Sequence, residues 1–452
     1  MVTKPTSKKN NRNINPLNKL SVSYPNRSPS YGRFVDLMVK GDGVYLFDSK
    51  NRKYLDANSG LWNVSLGYNN KDVVRAINAQ VKQLPFVNLF NFSNPIVIQL
   101  AEKILEISSH RFERVLFTCT GSESVEVAIK TARKFYKVIG KPKKIKLATF
   151  ALSYHGTTFG AMSASGIDHA ISLDYEPKVP GFISLPTPIC RCCPSEKMRP
   201  ACVKKTHDAL DSFFSVSGET LAGVIVEPVL GGGGIFSLRK EYLKYLRRLC
   251  KEFDVMLIFD EVATGFGRTG VMFSFQKTDV VPDVLCLGKG INSGYLPLGA
   301  TLISKKICDA LSRAQTFIEH YSTQNGNPIA CASSIATIAV IEKKKLVARV
   351  SKAGAKLKKL MIERLGDHPN IFEIRGQGLM LGIELVQDKK KRIPYTPLAV
   401  LSALNSLRKN GLIVNTYYTD EGCGLCVMPS FIISDQEILT IVQKFVECFP
   451  NK

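Results

Sequence analysis

Between residues 221 and 261 the chain reads LAGVIVEP, then RKEYLKYLRRLCKEF, then VMLIFDE. The outer two are short, continuous apolar runs rich in β-branched residues, and the middle one carries its apolar residues at helical spacing. A strand, a helix and a strand with no polar alternation in either strand require a sheet covered on both faces. Runs of the same kind recur at VLFTCT (115–120), KLATFA (146–151), DVLCLG (283–288) and GATLIS (299–304). The expectation is an α/β fold whose large domain has a mostly parallel central sheet with helices on both faces. Past residue 330 the texture changes to amphipathic helices such as SKAGAKLKKLMIERL (351–365) and ISDQEILTIVQKF, the latter opened by a capping box of Ser434 and Glu437. These predict a smaller α+β domain built from both chain ends, sharing its sheet with GDGVYLFDSKNRKYLDANSG (41–60). The expected divisions are a basic, disordered arm at 1–30, the first part of the small domain at 31–74, the large domain at 75–330 and the rest of the small domain at 331–452.

The 452 residues, 45% hydrophobic and 22% charged, have an ordinary globular balance. A net charge of +23 invites a nucleic-acid reading. The charge is spread over runs such as KPKKIK (141–146), EKKK (342–345) and KKKR (389–392) without interleaved aromatics, so it reads as solvated helix faces. The first thirty residues have no apolar segment of the kind a secretory signal needs. The longest apolar run, IACASSIATIAVI (329–341), is too short to cross a bilayer. Twelve cysteines without a secretion signal suggest a reducing compartment, the cytoplasm. Four of them, Cys190, Cys192, Cys193 and Cys202, lie in ICRCCPSEKMRPAC. A zinc site there would want a fourth regular ligand, which His207 could supply. The simpler reading is a surface insertion with packed thiols, and no metal is assigned.

Glu227, Asp260 and Lys289 each fall at the carboxyl end of an expected strand, which is where open α/β sheets bind ligands. In VLCLGKGINSG (284–294) one lysine stands in an apolar, glycine-flanked run. Desolvation lowers the pKa of such an amine and frees it to form a Schiff base with a carbonyl. A carboxylate at a neighbouring strand tip can hold a pyridinium nitrogen protonated. Those are the two groups that pyridoxal phosphate asks for. Its phosphate has a candidate cradle in FTCTGSESVEVAIKTARKFYK (117–137), a strand, a turn and a helix whose opening N–H groups attract a dianion. Gly121 lets the backbone approach there and Ser122 adds a hydroxyl, although the pattern also serves simple helix capping. GGGG at 231–234 is not followed by GK[ST], so it reads as a flexible turn and not a Walker loop.

These residues belong to a set: TGSESVEVAIKTAR (120–133), YHGTTFGAMSASG (154–166), VEPVLGGGG (226–234), IFDEVATGFGRTG (258–270), LGKGINSGYLPLGA (287–300) and STQNGNPIACA (322–332). In order, spacing and strand context they resemble the class III (ω-type) aminotransferases, pyridoxal-phosphate enzymes of fold type I, from about residue 34 to the C-terminus. The resemblance implies that Lys289 is the Schiff-base lysine and Asp260 the partner of the pyridine nitrogen. It implies Tyr154 on one face of the ring and Val262 on the other, with Gly121, Ser122 and the partner subunit's Thr323 on the phosphate. Active sites would then be shared within a homodimer or a dimer of dimers. Glu227 matches the family's strand-end glutamate, which orients the groups around Asp260. His155 is expected to be a structural hydrogen bonder near the cofactor.

The implied reaction is a double displacement from an amine or ω-amino acid donor to a keto acid, pyruvate or 2-oxoglutarate. GLWNVSLGY (60–68) resembles the substrate-pocket edge of the ω-amino acid:pyruvate branch, with Trp62 lining the pocket. Many class III enzymes carry an arginine near the C-terminus for a substrate carboxylate. Asn415 or Cys426 stands where it is expected here, and Arg268 and Arg375 sit in turns, GRTG and IRGQG, that read as structural. Two rivals remain at this point: an aminomutase or isomerase on the same scaffold, and a basic binding protein that kept the fold.

Overall fold

The computed structural model describes residues 37–167, 172–190, 193 and 198–450. The arm expected at 1–30 and Cys192 lie outside these residues.

One seven-stranded sheet organises the middle of the chain. Its strands are β1 (Arg114–Thr118), β2 (Lys146–Phe150), β3 (Phe182–Leu185), β4 (Leu221–Val226), β5 (Met256–Asp260), β6 (Val284–Leu287) and β7 (Gly299–Ile303). They lie in the order β1-β7-β6-β5-β4-β2-β3. The pairs β5/β6, β5/β4, β2/β4 and β2/β3 are parallel. Every residue of β4, β5, β6 and β7 is buried, as continuous apolar runs between two helical layers must be.

Two features depart from the sequence reading. The edge strand β3, FISL, is only half covered, and its short mixed pattern gave no signal. The seventh strand runs antiparallel to both β6 and β1. The eleven residues between Leu287 and Gly299 explain this, because a parallel crossover needs a dozen or more.

Of the helices that cover the sheet, α1 (Gly121–Val138), α2 (Pro200–Ser217) and α3 (Lys240–Glu252) fall between strands. The α3 helix buries Tyr242, Leu243, Leu246, Leu249 and Cys250, one apolar stripe at three-and-four spacing. Past the sheet, α4 (Pro328–Lys343) is apolar on almost every side and packs between the helices Lys71–Gln83 and Pro95–Ile107. The run singled out at 329–341 is therefore a core helix. Among the described residues no helix is long and apolar enough to cross a membrane.

The chain ends meet in two smaller sheets. Strands Ile371–Gly376, Leu381–Asp388, Gly422–Val427 and Asn415–Thr419 form an antiparallel sheet in that order. Strands Met38–Asp42, Tyr45–Asp48 and Lys53–Asp56 form another, and Leu412–Ile413 from the far end of the chain pairs with it in parallel. The last helix opens on the capping box read from sequence: the Ser434 hydroxyl accepts from the Glu437 N–H at 3.2 Å, and Glu437 Oε2 accepts from the Ser434 N–H at 2.7 Å.

The GGGG stretch is not a flexible turn. It closes a small hairpin of Val229–Leu230 with Phe236–Ser237 and is packed from both sides. A Cβ at Gly233 would stand 2.1 Å from the Leu152 carbonyl oxygen, and one at Gly232 would stand 2.5 Å from Ile167 Cδ1. By contrast Gly140, at φ +78°, has open space around its Cα. Gly140→Ala is expected to cost about 1 kcal/mol of backbone strain, and Gly233→Ala about 3 kcal/mol through overpacking. Equal losses in denaturant unfolding of the two variants would show that the turn is not close-packed.

Candidate active site

The register of the sheet does most of the positioning. Phe259 pairs with Val226 and Asp260 with Cys286, so Glu227 and Asp260 leave adjacent strands at one level and Lys289 follows three residues past that level on the next strand. Asp260 is buried, with Oδ2 2.7 Å from His155 Nδ1 and Oδ1 accepting the Val262 N–H at 3.0 Å. Both carboxylate oxygens are thereby fixed. The outer ring nitrogen of His155, Nε2, is buried without a hydrogen-bond partner among the described residues.

Glu227 is held in the same manner: Oε1 accepts the Tyr154 N–H at 2.9 Å and Oε2 the Gly231 N–H at 3.0 Å. Burial pushes its carboxyl up to about 7; the nearby His155 pulls it down and Asp260 pushes it further up. Lys289 begins a single 3₁₀ turn at φ +38°, a left-handed conformation forced on a non-glycine residue directly after β6. Burial holds its amine below the usual lysine range, and the carboxylates of Asp260 and Glu227 offset part of that shift. Such a combination of backbone strain and a displaced pKa is characteristic of functional positions.

Three loops touch beside this amine. A Cβ at Gly288 would lie 3.2 Å from Gly121 Cα and 3.1 Å from Val262 Cγ1, and a Cβ at Gly121 would lie 2.7 Å from Val262 Cγ1. Glycine is needed at both positions because two backbones and a valine share that space. The loop after β2 leans in as well: the Thr157 N–H donates to the Ser122 hydroxyl at 3.3 Å, and a Cβ at Gly156 would be 2.2 Å from that oxygen. At the start of α1, Thr120 caps the helix by accepting the Glu123 N–H at 3.1 Å. Gly121 and Ser122 occupy the first turn, where N–H groups have no intrahelical acceptor.

Trp62 reaches this centre from the N-terminal segment. Lys289 Nζ lies 5.5 Å from its ring centroid, and a Cβ on Gly231 would stand 2.9 Å from its Cζ3. Like Lys289 it has a positive φ, +64°. It packs in a buried cluster with Val229, Ile235, Met380, Tyr417, Cys426 and Met428. Asn415 and Cys426 pair directly across two antiparallel strands at the edge of that cluster.

Neither candidate arginine is available to a ligand in the way a carboxylate receptor must be. Arg375 donates to Gly234 O, Glu384 Oε2 and the Tyr417 hydroxyl at 2.8, 2.5 and 2.7 Å, and stacks on Phe236. Arg268 donates to the carbonyls of Leu379 and Pro429 at 3.0 and 2.6 Å. Both are structural, as expected, although Arg375 lies on the strand Ile371–Gly376 and not in a turn. Thr323 is exposed in the turn before α4, whose Ser322 hydroxyl lies 3.4 Å from Cys119 Sγ. The sequence reading missed Ser165, which accepts the His155 N–H at 2.8 Å, and the close approach at Gly156 and Gly288. Ser165 lies ten residues past His155, at the end of the short helix Phe159–Ala164, while the close approaches at Gly156 and Gly288 join segments far apart in sequence.

Comparison with known proteins gives a consistent family. The family model described as Aminotransferase class-III matches residues 27–449. The adenosylmethionine-8-amino-7-oxononanoate aminotransferase of Staphylococcus aureus is 36% identical over 92% of this chain and 92% of its own. The putrescine–pyruvate aminotransferase of Pseudomonas aeruginosa is 30% identical over 91% and 90%. An amine transaminase from an uncultivated Pseudomonas species, solved in a PLP-bound form, matches with a TM-score of 0.90 at 32% identity, covering 95% of this chain and 98% of that one.

The electrostatics of Lys289 can be tested in the cofactor-free protein. Asp260 and Glu227 favour the ammonium form, so Asp260→Asn or Glu227→Gln is expected to move the Lys289 titration to still lower pH. The pH dependence of acylation at Lys289, followed by mass spectrometry, reads this directly. An upward shift in either variant would contradict the assigned signs.

Proposed function

Because the chain belongs to the class III aminotransferase family, we propose that it moves an amino group from a primary amine or ω-amino acid to a keto acid, pyruvate or 2-oxoglutarate. The observation that carries this reading is the convergence of Lys289, Asp260 and Glu227 at adjacent strand tips, beside a glycine-lined helix start. The cofactor of the family is pyridoxal phosphate, which when bound supplies an electron sink for removing a proton from the amine-bearing carbon.

The residues in place fit that group. The first turn of α1 presents N–H groups and the Ser122 hydroxyl where Gly121, Gly156 and Gly288 let the three loops and Val262 approach closely. We assign Gly121 and Ser122 to the phosphate, Asp260 to the ring nitrogen, Tyr154 and Val262 to the two ring faces and Lys289 to the aldehyde end. Asp260 can keep a proton on a ring nitrogen because His155 and the Val262 N–H already fix its carboxylate in place. Glu227 positions Tyr154 and the Gly231 turn through its two backbone hydrogen bonds. Lys289, with its amine held low by desolvation, takes the proton from the substrate carbon in neutral form and returns it as the ammonium. The donor leaves as a carbonyl product before the keto acid enters, and the same residues run the second half in reverse.

The apolar cluster around Trp62, with both nearby arginines held by backbone and side-chain partners, supports donors whose reacting carbon needs no carboxylate receptor. We further assign Thr323 to the phosphate of the neighbouring protomer's site, which makes the functional unit a homodimer. The aromatic surface near it supports this: Phe90, Phe92, Phe317 and Tyr321 are 72%, 62%, 55% and 61% exposed in the single chain. A second copy would cover them. We place the reaction in the cytoplasm, on the strength of the twelve cysteines.

The decisive assay offers putrescine, a simple primary amine or an ω-amino acid with pyruvate and measures alanine. Net transfer is expected, and Lys289→Ala is expected to lower kcat by at least about 10³-fold. Rearrangement of the amine substrate without alanine would instead establish an aminomutase. For the dimer, Thr323→Ala is expected to weaken cofactor binding. A holoenzyme that sediments as an active monomer would overturn the shared site.

A further inference from the structure

A second cluster of reactive side chains lies away from the strand tips. After β3 the chain makes the insertion that carries Cys190 and Cys193, and Cys202 follows in the first turn of α2. Cys193 Sγ is 3.6 Å from Cys202 Sγ and 4.0 Å from Cys190 Sγ, and all three sulfurs lie within 4.8 Å of one another. A disulfide needs about 2.05 Å, so these contacts are not covalent. They are close to the edge of a tetrahedron around zinc, which at a Zn–S distance of about 2.3 Å measures about 3.8 Å.

We infer that Cys190, Cys193 and Cys202 form a thiolate site for one zinc ion that fastens the insertion after β3 to the start of α2. Three soft sulfur donors select zinc over magnesium or calcium. Cys202 is the third residue of α2, after Pro200 at its start, so the partial positive charge of the helix N-terminus favours its thiolate. The insertion is anchored on both sides of the cluster: Pro188, Ile189 and Met198 line one small cavity together with Phe236, Leu238 and Tyr242. The sulfurs therefore converge on a supported frame. Each thiol gives up its proton as the ion binds, three protons per zinc.

His207 does not complete the set. It lies five residues beyond Cys202, stacks on Tyr245 at 4.0 Å and is not among the groups that converge. This replaces the reading of the insertion as merely packed thiols. The ion serves structure: it closes the insertion over the hairpin strand Phe236–Ser237, whose partner Val229–Leu230 leads out of Glu227.

The test uses the pyridoxal-phosphate holoenzyme purified under reducing conditions without chelator. Elemental analysis is expected to find about one zinc per chain, and Co²⁺ exchanged into the site is expected to give the visible bands of a tetrahedral thiolate centre. Cys193→Ser and Cys202→Ser should each lose zinc affinity by at least about tenfold against a chromogenic chelator, with the cofactor absorbance intact. Cys448→Ser should not. If the two variants fail to fold, the cobalt spectrum of the wild-type protein decides. An octahedral spectrum, no zinc retained at micromolar Zn²⁺, or a Cys193–Cys202 disulfide in place of metal would overturn the site.

Discussion

The rest of this structure depends on holding one amine out of water. Desolvation disfavours the ammonium form of Lys289, and an unpaired buried charge would be too costly to keep. The carboxylates of Asp260 and Glu227 offset that cost, but two carboxylates at neighbouring strand tips also repel one another. The conflict is resolved by unequal environments. Asp260 is anchored by His155 and a backbone N–H, while burial raises the Glu227 carboxyl above the usual carboxylate range. An amine that is readily neutral and one firmly fixed carboxylate result from the same balance, and both are what proton transfer at a substrate carbon requires.

That balance dictates the backbone around it. Six of the strands, β1 to β6, end at one rim, and the loops leaving them are pressed together so that a Cβ would clash at Gly121 and Gly156 and crowd its neighbours at Gly288. The antiparallel β7 follows from the same economy of chain. With eleven residues between β6 and β7, the Lys289 turn has no room for a crossover helix and must fold straight back. The lysine is thus presented by a short, strained turn whose next residues, Gly290, Ile291, Asn292 and Ser293, are buried. Trp62, with its own positive φ, closes the rim from the other end of the sequence.

Much of this was legible in the sequence for an identifiable reason. Strands buried on both faces must be apolar throughout, so β4, β5 and β6 announced themselves and carried Glu227, Asp260 and Lys289 to their ends. What stayed hidden depends on contacts between distant segments. The short edge strand β3 has no pattern strong enough to read. GGGG suggests freedom, yet Leu152, Ile167 and Trp62 pack against it and leave none. Ser165, only ten residues past His155, joined the site because the short helix between them turns its hydroxyl back onto the His155 N–H. The same limit applied to the cysteines: CRCC and a later Cys gave a candidate set, but only the fold separated the three converging sulfurs from His207.

The two arginines show how fold and specificity divide the polar residues between them. Arg375 is buried among Glu384, Tyr417, Phe236 and the Gly234 carbonyl, so it ties the antiparallel C-terminal sheet to the GGGG turn behind Trp62. Arg268 ties the loop after Asp260 to Leu379 and Pro429. Releasing either side chain to receive a substrate carboxylate would leave buried carbonyls or a carboxylate unsatisfied, at about 1–3 kcal/mol for each group. Moving them is therefore a poor route to recognition. The cluster they support, Trp62 with Met380, Cys426 and Met428, is apolar and buried beside Lys289. Apolar contact discriminates weakly between chain lengths, about 1–3 kcal/mol per methylene, so the donor class proposed above rests on the strand tips and not on a charged receptor.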